Sequence, residues 1–230
     1  MKVFITGASR GIGLALCQHF LDQGHQVAGL SRGKSDLSHP SYRHFEGDVC
    51  SEADVKRVMR ELRKDWKVVD VLINNAGIAR MIPFALTPPS SARDVMDVSY
   101  HGTFTVSHAA IRLLRKSENP RIINFTSVAV PLRLEGEISY AAAKAAVESF
   151  TRIAAKELAD FGITCNAIGP SPIETDLIRS VPKDKIRALL ERQAIHKMGS
   201  FSDVSNVIDF FVRPESRMIT GQIIYLGGVG

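Results

Sequence analysis

Cysteine is scarce in this chain of 230 residues: Cys17, Cys50 and Cys165 are odd in number and far apart. That spacing excludes a disulfide framework or a redox pair and fits reduced thiols in a cytoplasmic protein. Each lies within an apolar or helical pattern, so all three are expected to be buried. Metal-ligand spacing is missing too, because the seven histidines are dispersed, and no metal site is expected. No apolar run approaches the roughly 20 residues needed to cross a bilayer. A first strand that opens at Lys2 leaves no place for a signal peptide, so no membrane partner is expected. The net charge of +5 comes from Lys and Arg interleaved with Asp and Glu. The basic stripe with aromatic neighbours that would mark a nucleic-acid binder is therefore lacking. Internal repeats and low-complexity segments are absent as well. With 45% hydrophobic residues, the length suffices for one sizeable core, and residues 1–230 are read as a single domain.

What is present centres on residues 122 to 144. The apolar run Ile122-Ile123-Asn124-Phe125 delivers Thr126 and Ser127 to its end, and Tyr140-Ala141-Ala142-Ala143-Lys144 opens an alanine-rich helix. Tyr140 and Lys144 stand at i and i+4, on one helix face. A phenol titrates near pH ~10, and an ammonium held beside it is expected to bring Tyr140 toward working range as an acid. Ser127 can then steady a carbonyl or hydroxyl. An isolated Tyr-x-x-x-Lys is more often a buried tyrosine and a solvated lysine. The rest of the chain reverses that balance.

Lys2 to Ile5 reads as a strand, Thr6-Gly7-Ala8-Ser9-Arg10-Gly11-Ile12-Gly13 follows it, and apolar residues then recur at helical spacing up to Gly24. Strand, glycine-rich turn and helix set backbone N–H groups and a positive helix end against a phosphate. Glycines at 7, 11 and 13 leave room for a pyrophosphate, although three glycines also make a plain tight turn. The second strand, Gln26 to Leu30, ends at Ser31 and Arg32. An acid at such a strand end accepts hydrogen bonds from ribose hydroxyls, whereas a 2′-phosphate requires a cation. The acid is missing here, and Arg10 and Arg32 can clasp a phosphate, so NADP(H) is expected over NAD. A third strand spans Tyr42 to Glu46, and Asp48 after it can accept from an adenine amine. A covering helix over residues 51–66 and a buried strand from Val68 to Ile73 lead into Asn74-Asn75-Ala76-Gly77. There the amides can bridge neighbouring strands and Gly77 leaves space for a ring.

Taken in order, these motifs resemble the short-chain dehydrogenase/reductase family over nearly the whole chain. They are Thr6-Gly7, Gly11 and Gly13, Asp48-Val49, Asn74 to Gly77, Ser127, and Tyr140 with Lys144. Asn166, Pro170, Ile173-Glu174-Thr175 and Ile219-Thr220-Gly221-Gln222 continue the series. The resemblance implies an α/β fold, a doubly wound (Rossmann) parallel sheet of about seven strands in a single domain. It also implies hydride transfer from a nicotinamide nucleotide to a ketone, with Tyr140 as proton donor, Lys144 on the nicotinamide ribose and Ser127 orienting the carbonyl. Cofactor contacts carry over to Gly7, Ser9, Arg10, Gly11, Ile12 and Gly13 in the turn, to Arg32, and to Asp48 and Val49. They continue at Asn75, Ala76 and Gly77, at Tyr140 and Lys144, and at Pro170, Ile173 and Thr175.

The chain departs from the family at several points. Where the family has an Asn that holds a proton-relay water, Val98-Ser99-Tyr100-His101-Gly102 puts a serine, and Ser99 is expected to hold that water less firmly. Pro170-Ser171-Pro172 replaces a Pro-Gly. Arg133 and Glu135 are candidates for the substrate mouth, with Met81, Ile82, Phe84 and Leu177 as an apolar wall. Residues 176–200 read as a lid, and the helix over residues 139–160 implies, by resemblance, a homo-oligomer. The last strand is expected over Gly221 to Leu226.

Among relatives the general look is nearest to bacterial 3-oxoacyl-carrier-protein reductases, through Pro170-x-x-Ile173-Glu174-Thr175-Asp176 and Ile219 to Gln222. This implies a 3-oxoacyl thioester substrate borne on an acidic acyl carrier protein, steered by Arg112, Arg115 and Lys116 or by Lys183, Lys185 and Arg187. Phe161 stands where those reductases often have a basic residue. A reductase of a free small ketone is the competing reading. A catalytically silent NADP sensor is a third, against which intact Ser127, Tyr140 and Lys144 count.

Overall fold

The computed structural model describes residues 1–175, 178 and 181–229. Seven strands form one sheet: β1 (Lys2–Thr6), β2 (Gln26–Ser31), β3 (Tyr42–Glu46), β4 (Val71–Asn74), β5 (Arg121–Phe125), β6 (Thr164–Gly169) and β7 (Ile223–Tyr225). Their order is β3-β2-β1-β4-β5-β6-β7 and every pairing is parallel. The chain therefore winds outward from β1 in one direction and from β4 in the other. A crevice opens between those two strands at their C-terminal ends.

Alternation along the central strands sends side chains into two cores. Val3 and Ile5 face α1 (Gly11–Asp22) and α8 (Phe201–Val212), through Leu16, Phe20, Val204 and Ile208. Phe4 and Leu72 point the other way, toward α2 (Glu52–Asp65), α4 (Gly102–Leu114) and α6 (Ile138–Glu157). Covered on both faces, β4 and β5 are buried from end to end, which is why Val71–Ile73 and Ile122–Ile123 show no polar alternation. Helix α2 buries Val55, Val58, Met59 and Leu62 on one face, and the Ser51 hydroxyl caps it by accepting from the Asp54 N–H.

Several element boundaries differ from the expected ones. Regular pairing of β4 begins at Val71 and not at Val68. Lys67 turns through a positive φ, and the Asp70 carboxylate accepts from the Lys2 N–H and from the Ser117 hydroxyl, pinning the chain before the strand starts. The last strand shortens to Ile223–Tyr225 because Gly221 takes φ +71 in the preceding turn. Helix α6 stops at Glu157 and passes into a tight turn at Ala159–Phe161. Of the thiols, Cys17 and Cys165 are buried, but Cys50 is exposed. It lies in the turn ahead of the Ser51 cap, where Val49 is the side chain that turns inward.

Helices α3 (Pro89–Met96) and α5 (Ala129–Leu132) pack against α6, and polar contacts fix α6 against the sheet. Asn74 donates to Asn124 at 2.8 Å, and Asn124 donates to the Thr151 hydroxyl at 2.9 Å, linking β4, β5 and α6. One turn beyond Lys144, the buried Glu148 accepts from Thr126 at 2.6 Å and from the Tyr225 hydroxyl. These bonds satisfy groups that would be costly to bury alone, and they set the height of the helix start over the strand ends.

Candidate active site

Because all strands run parallel, their C-terminal ends share one edge, and a cavity of about 900 Å³ runs along it. One end is formed by Gly7, Gly11 and Ile12 of the turn after β1, by Arg32 after β2 and by Asp48 after β3. The other end holds Ser127, Tyr140 and Lys144, with Pro170, Ile173 and Thr175 between them and the helix α7 (Lys183–Glu191). Residues from seven separate stretches of chain thus meet in one space. All the catalytic and cofactor-binding residues singled out from the sequence line it, apart from Gly13 and Ser99.

Gly13 stands behind the turn. A Cβ there would lie 2.2 Å from the Gly7 carbonyl oxygen and 2.5 Å from the Asn75 amide nitrogen. That amide donates to the Thr6 carbonyl at 2.9 Å and the Gly7 carbonyl at 3.2 Å, and the Thr6 hydroxyl accepts from the N–H groups of Asn75 and Ala76. So the end of β4 is bolted to the turn after β1. Gly7 itself takes φ +68. The result is a bare backbone cradle that fits a dinucleotide, since no side chain stands between the turn and the cavity at Gly7 and Gly11. Gly77 serves the same end, for a Cβ there would come within 3.3 Å of the Lys144 ammonium nitrogen.

At the other end, Lys144 is buried and its ammonium donates to the Phe125 carbonyl at 2.7 Å. Burial holds it down at about 8. The nitrogen lies 5.7 Å from the centroid of the Tyr140 ring. Tyr140 is pushed up to about 12 by burial, with the Ser127 hydroxyl beside it acting downward and the Glu137 carboxylate adding to the rise. The expected lowering of the phenol by the ammonium is therefore not what this geometry produces. Lys144 gives one of its three N–H donors to a backbone carbonyl, and the groups that shift Tyr140 are Ser127 and Glu137.

A family profile described as Enoyl-(Acyl carrier protein) reductase matches residues 7–228. The chain is 30% identical to the 3-oxoacyl-[acyl-carrier-protein] reductase FabG of Escherichia coli (strain K12), with 97% of this chain and 94% of that protein covered. It is also 30% identical to the protein of the same name from Staphylococcus epidermidis (strain ATCC 35984), covering 99% and 97% of the two chains. Among solved structures, ligand-free aldohexose dehydrogenase (AldT) of Thermoplasma acidophilum superposes with a TM-score of 0.89 at 29% identity, covering 99% of this chain and 92% of that one. The chain belongs to the short-chain dehydrogenase/reductase family. It is therefore built as an NAD(P)-dependent oxidoreductase.

Against that family pattern, Ser99 occupies a distinctive place. It is fully buried in a π-helical turn, Asp97–His101, and its hydroxyl has no hydrogen-bond partner among the described residues. The same imaginary Cβ on Gly77 that meets Lys144 would lie 3.6 Å from the Ser99 oxygen. Ser99 thus sits behind Gly77 on the lysine side, and the π turn is what swings it inward. Of the proposed apolar wall, Met81 lines the cavity, whereas Phe84 is 76% exposed and Leu177 lies outside the described residues, as does Asp176. Glu135 lines the mouth, but Arg133 is exposed in a left-handed turn. Of the two basic groups, Arg112 in the last turn of α4 and Arg115 and Lys116 just after it do not line the cavity. Lys185 lines it directly. Among the described residues, no helix is long and apolar enough to cross a membrane.

The sequence did not single out Glu137, Leu134 and Arg192, all of which line the cavity. The signal for Glu137 was its place three residues before Tyr140, on the same side of the helix start. Its carboxyl is buried and is pushed up to about 7 by that burial alone. A carboxyl raised from 4.5 binds more protons folded than unfolded through the window from 4.5 to about 7, so its contribution to stability falls as pH rises across it. The loss accumulates at up to about 1.4 kcal/mol per pH unit. Glu137→Gln is therefore expected to match the wild type in melting temperature at the acid end of the window and to exceed it by several degrees above the upper end. Parallel melts across the pH range check this; a gain independent of pH would contradict it.

Proposed function

We propose that this protein is an NADPH-dependent reductase that converts a ketone to a secondary alcohol, acting on a 3-oxoacyl thioester carried by an acyl carrier protein. The observation that carries the reading is the meeting of the glycine cradle with Ser127, Tyr140 and Lys144 in one cavity. The bound nicotinamide nucleotide supplies the hydride. Tyr140 gives its phenolic proton to the carbonyl oxygen, and Ser127 holds that oxygen by a hydrogen bond. Lys144 binds the nicotinamide ribose and, with a water held by Ser99, refills the proton on Tyr140. Thr175 and Ile173 position the nicotinamide, Asn75, Ala76 and Gly77 bed the adjoining ribose, and Asp48 and Val49 hold the adenine.

The preference for the phosphorylated nucleotide rests on Arg10 and Arg32, two exposed cations at the ribose end of the cavity with no acid at the end of β2. The thioester rests on the two relatives named as 3-oxoacyl-[acyl-carrier-protein] reductases, and Lys185 at the mouth suits an acidic carrier. The described part of residues 176–200 lies over the substrate end as a lid, with Val181, Ile186 and Leu189 facing the cavity.

Oxidation of NADPH and of NADH is measured with a short 3-oxoacyl thioester and with a free ketone. The expected result is turnover of the thioester with NADPH, and a preference over NADH that shrinks by about tenfold or more when Arg10 and Arg32 are both replaced by Ala. Turnover of the free ketone alone would move the substrate to small carbonyls. Tight NADPH binding without any turnover would sink the reductase reading.

A further inference from the structure

The substrate end of the cavity holds a carboxyl for which reduction of a plain ketone has no use. Glu137 is the N-cap residue of α6, so the helix start that aims the Tyr140 phenol into the cavity also aims this side chain. It is 7% exposed, and Oε2 has no hydrogen-bond partner among the described residues. Cations line the same cavity, yet among the described residues none forms an ion pair with Glu137. Lys144 donates to the Phe125 carbonyl, and Arg192, which lines the same cavity, donates to the Leu132 carbonyl. A second buried polar atom shares the situation: Ser171 is 4% exposed, lines the cavity, and its hydroxyl oxygen lacks a partner among the described residues.

Two buried, unpartnered polar atoms on residues that line one cavity are costly unless something brings them partners. Around them the wall is apolar, through Met81, Val128, Leu134 and Leu189. Water can serve such groups between turnovers, but a substrate that displaces it must replace its hydrogen bonds or bind weakly. A carboxylate is an acceptor with room for several donors, and an ammonium or hydroxyl is the group that answers it.

We propose that Glu137 is a substrate-specificity residue, its carboxyl accepting a hydrogen bond from a hydroxyl or ammonium group next to the ketone held by Tyr140 and Ser127, with Ser171 as a second polar contact. This rests on the ketone-reductase part of the proposed function and puts ketones with a donor beside the carbonyl in place of a plain 3-oxoacyl thioester. The ketone of an unsubstituted 3-oxoacyl thioester is flanked by methylene groups, so the two substrate classes are separable by experiment.

The test uses three ketones of one shape, butanone, hydroxyacetone and aminoacetone, with NADPH, alongside a short 3-oxoacyl thioester. Values of kcat/KM are compared for the wild type, Glu137→Gln and Glu137→Leu. The wild type is expected to favour hydroxyacetone or aminoacetone over butanone by about tenfold or more, as for a hydrogen bond to a charged group. Glu137→Leu brings that ratio close to one. Glu137→Gln, isosteric with the wild type, distinguishes the donors, because it abolishes a preference for aminoacetone and keeps one for hydroxyacetone. A wild-type ratio near one, or a ratio that Glu137→Leu leaves unchanged, overturns the proposal. Reduction of the thioester with none of the three ketones turned over overturns it too, while leaving the reductase reading in place. Silence with all four substrates removes both.

Discussion

Replacing Tyr140 by Phe is expected to lower kcat by about 10²–10⁴-fold, the range typical of a lost general acid, while NADPH binding changes little. The substitution removes one oxygen. The ring that packs 5.7 Å from the Lys144 nitrogen stays, so the helix start and the lysine bond to Phe125 keep their places. A steady-state assay with a direct binding titration of NADPH separates the two effects. Loss of turnover together with loss of binding would mean that Tyr140 holds the site in shape and is no proton donor. Undiminished turnover would assign the proton to another group, for which Glu137 is the nearest candidate because it acts electrostatically on Tyr140 and is itself raised to about 7.

Gly13→Ala is expected to be the most damaging single methyl that the cradle can receive. Its Cβ would arrive 2.2 Å from the Gly7 oxygen and 2.5 Å from the Asn75 amide, and neither can give way freely. Gly7 is already held at φ +68, and Asn75 is bonded to Thr6 and Gly7. Relieving the clash parts α1 from the turn after β1 or breaks the link between β1 and β4. Overpacking of this kind costs about 1–3 kcal/mol or more. In a domain of this size that lowers the melting temperature by roughly 2–4 °C per kcal/mol. Affinity for the nucleotide should fall with it, because the same carbonyls and amides shape the cradle. By contrast Gly24, whose surroundings are open but whose φ is +78, makes a matched control. Ala there strains the backbone without touching the cradle, so its melting temperature falls while nucleotide affinity is retained. Equal loss of affinity in both variants would show that Gly13 acts through stability alone.

The parallel sheet was legible because burial on both faces leaves the strands no polar alternation to display. Val68 to Ile73, broken only by Asp70, and the run Ile122 to Phe125 read as strands for that reason, and both cover central strands of the sheet. The glycine turn was legible for a related reason, since glycine is the residue that tolerates both the positive φ at Gly7 and the contact at Gly13. Boundaries were less so. The ends of β4 and β7 are set by Asp70 reaching Lys2 and Ser117, and by the turn at Gly221, which are contacts across 47 to 68 positions in the first case and a local φ choice in the second.

The sequence by itself determined the family, the sheet with its two covered faces, and which stretches reach the C-terminal edge. Those properties follow from residue type and short-range spacing. Only the tertiary structure decided what surrounds each group once it is there. Lys144 donates one hydrogen bond to the Phe125 carbonyl, and burial raises the phenol of Tyr140, which i, i+4 spacing alone does not reveal. Ser99 is turned inward by a π-helical bend, Cys50 is left on the surface, and Glu137 is buried with its Oε2 lacking a partner among the described residues. Protonation and hydrogen bonding depend on burial and on neighbours brought from distant positions, and a linear chain records neither until it folds.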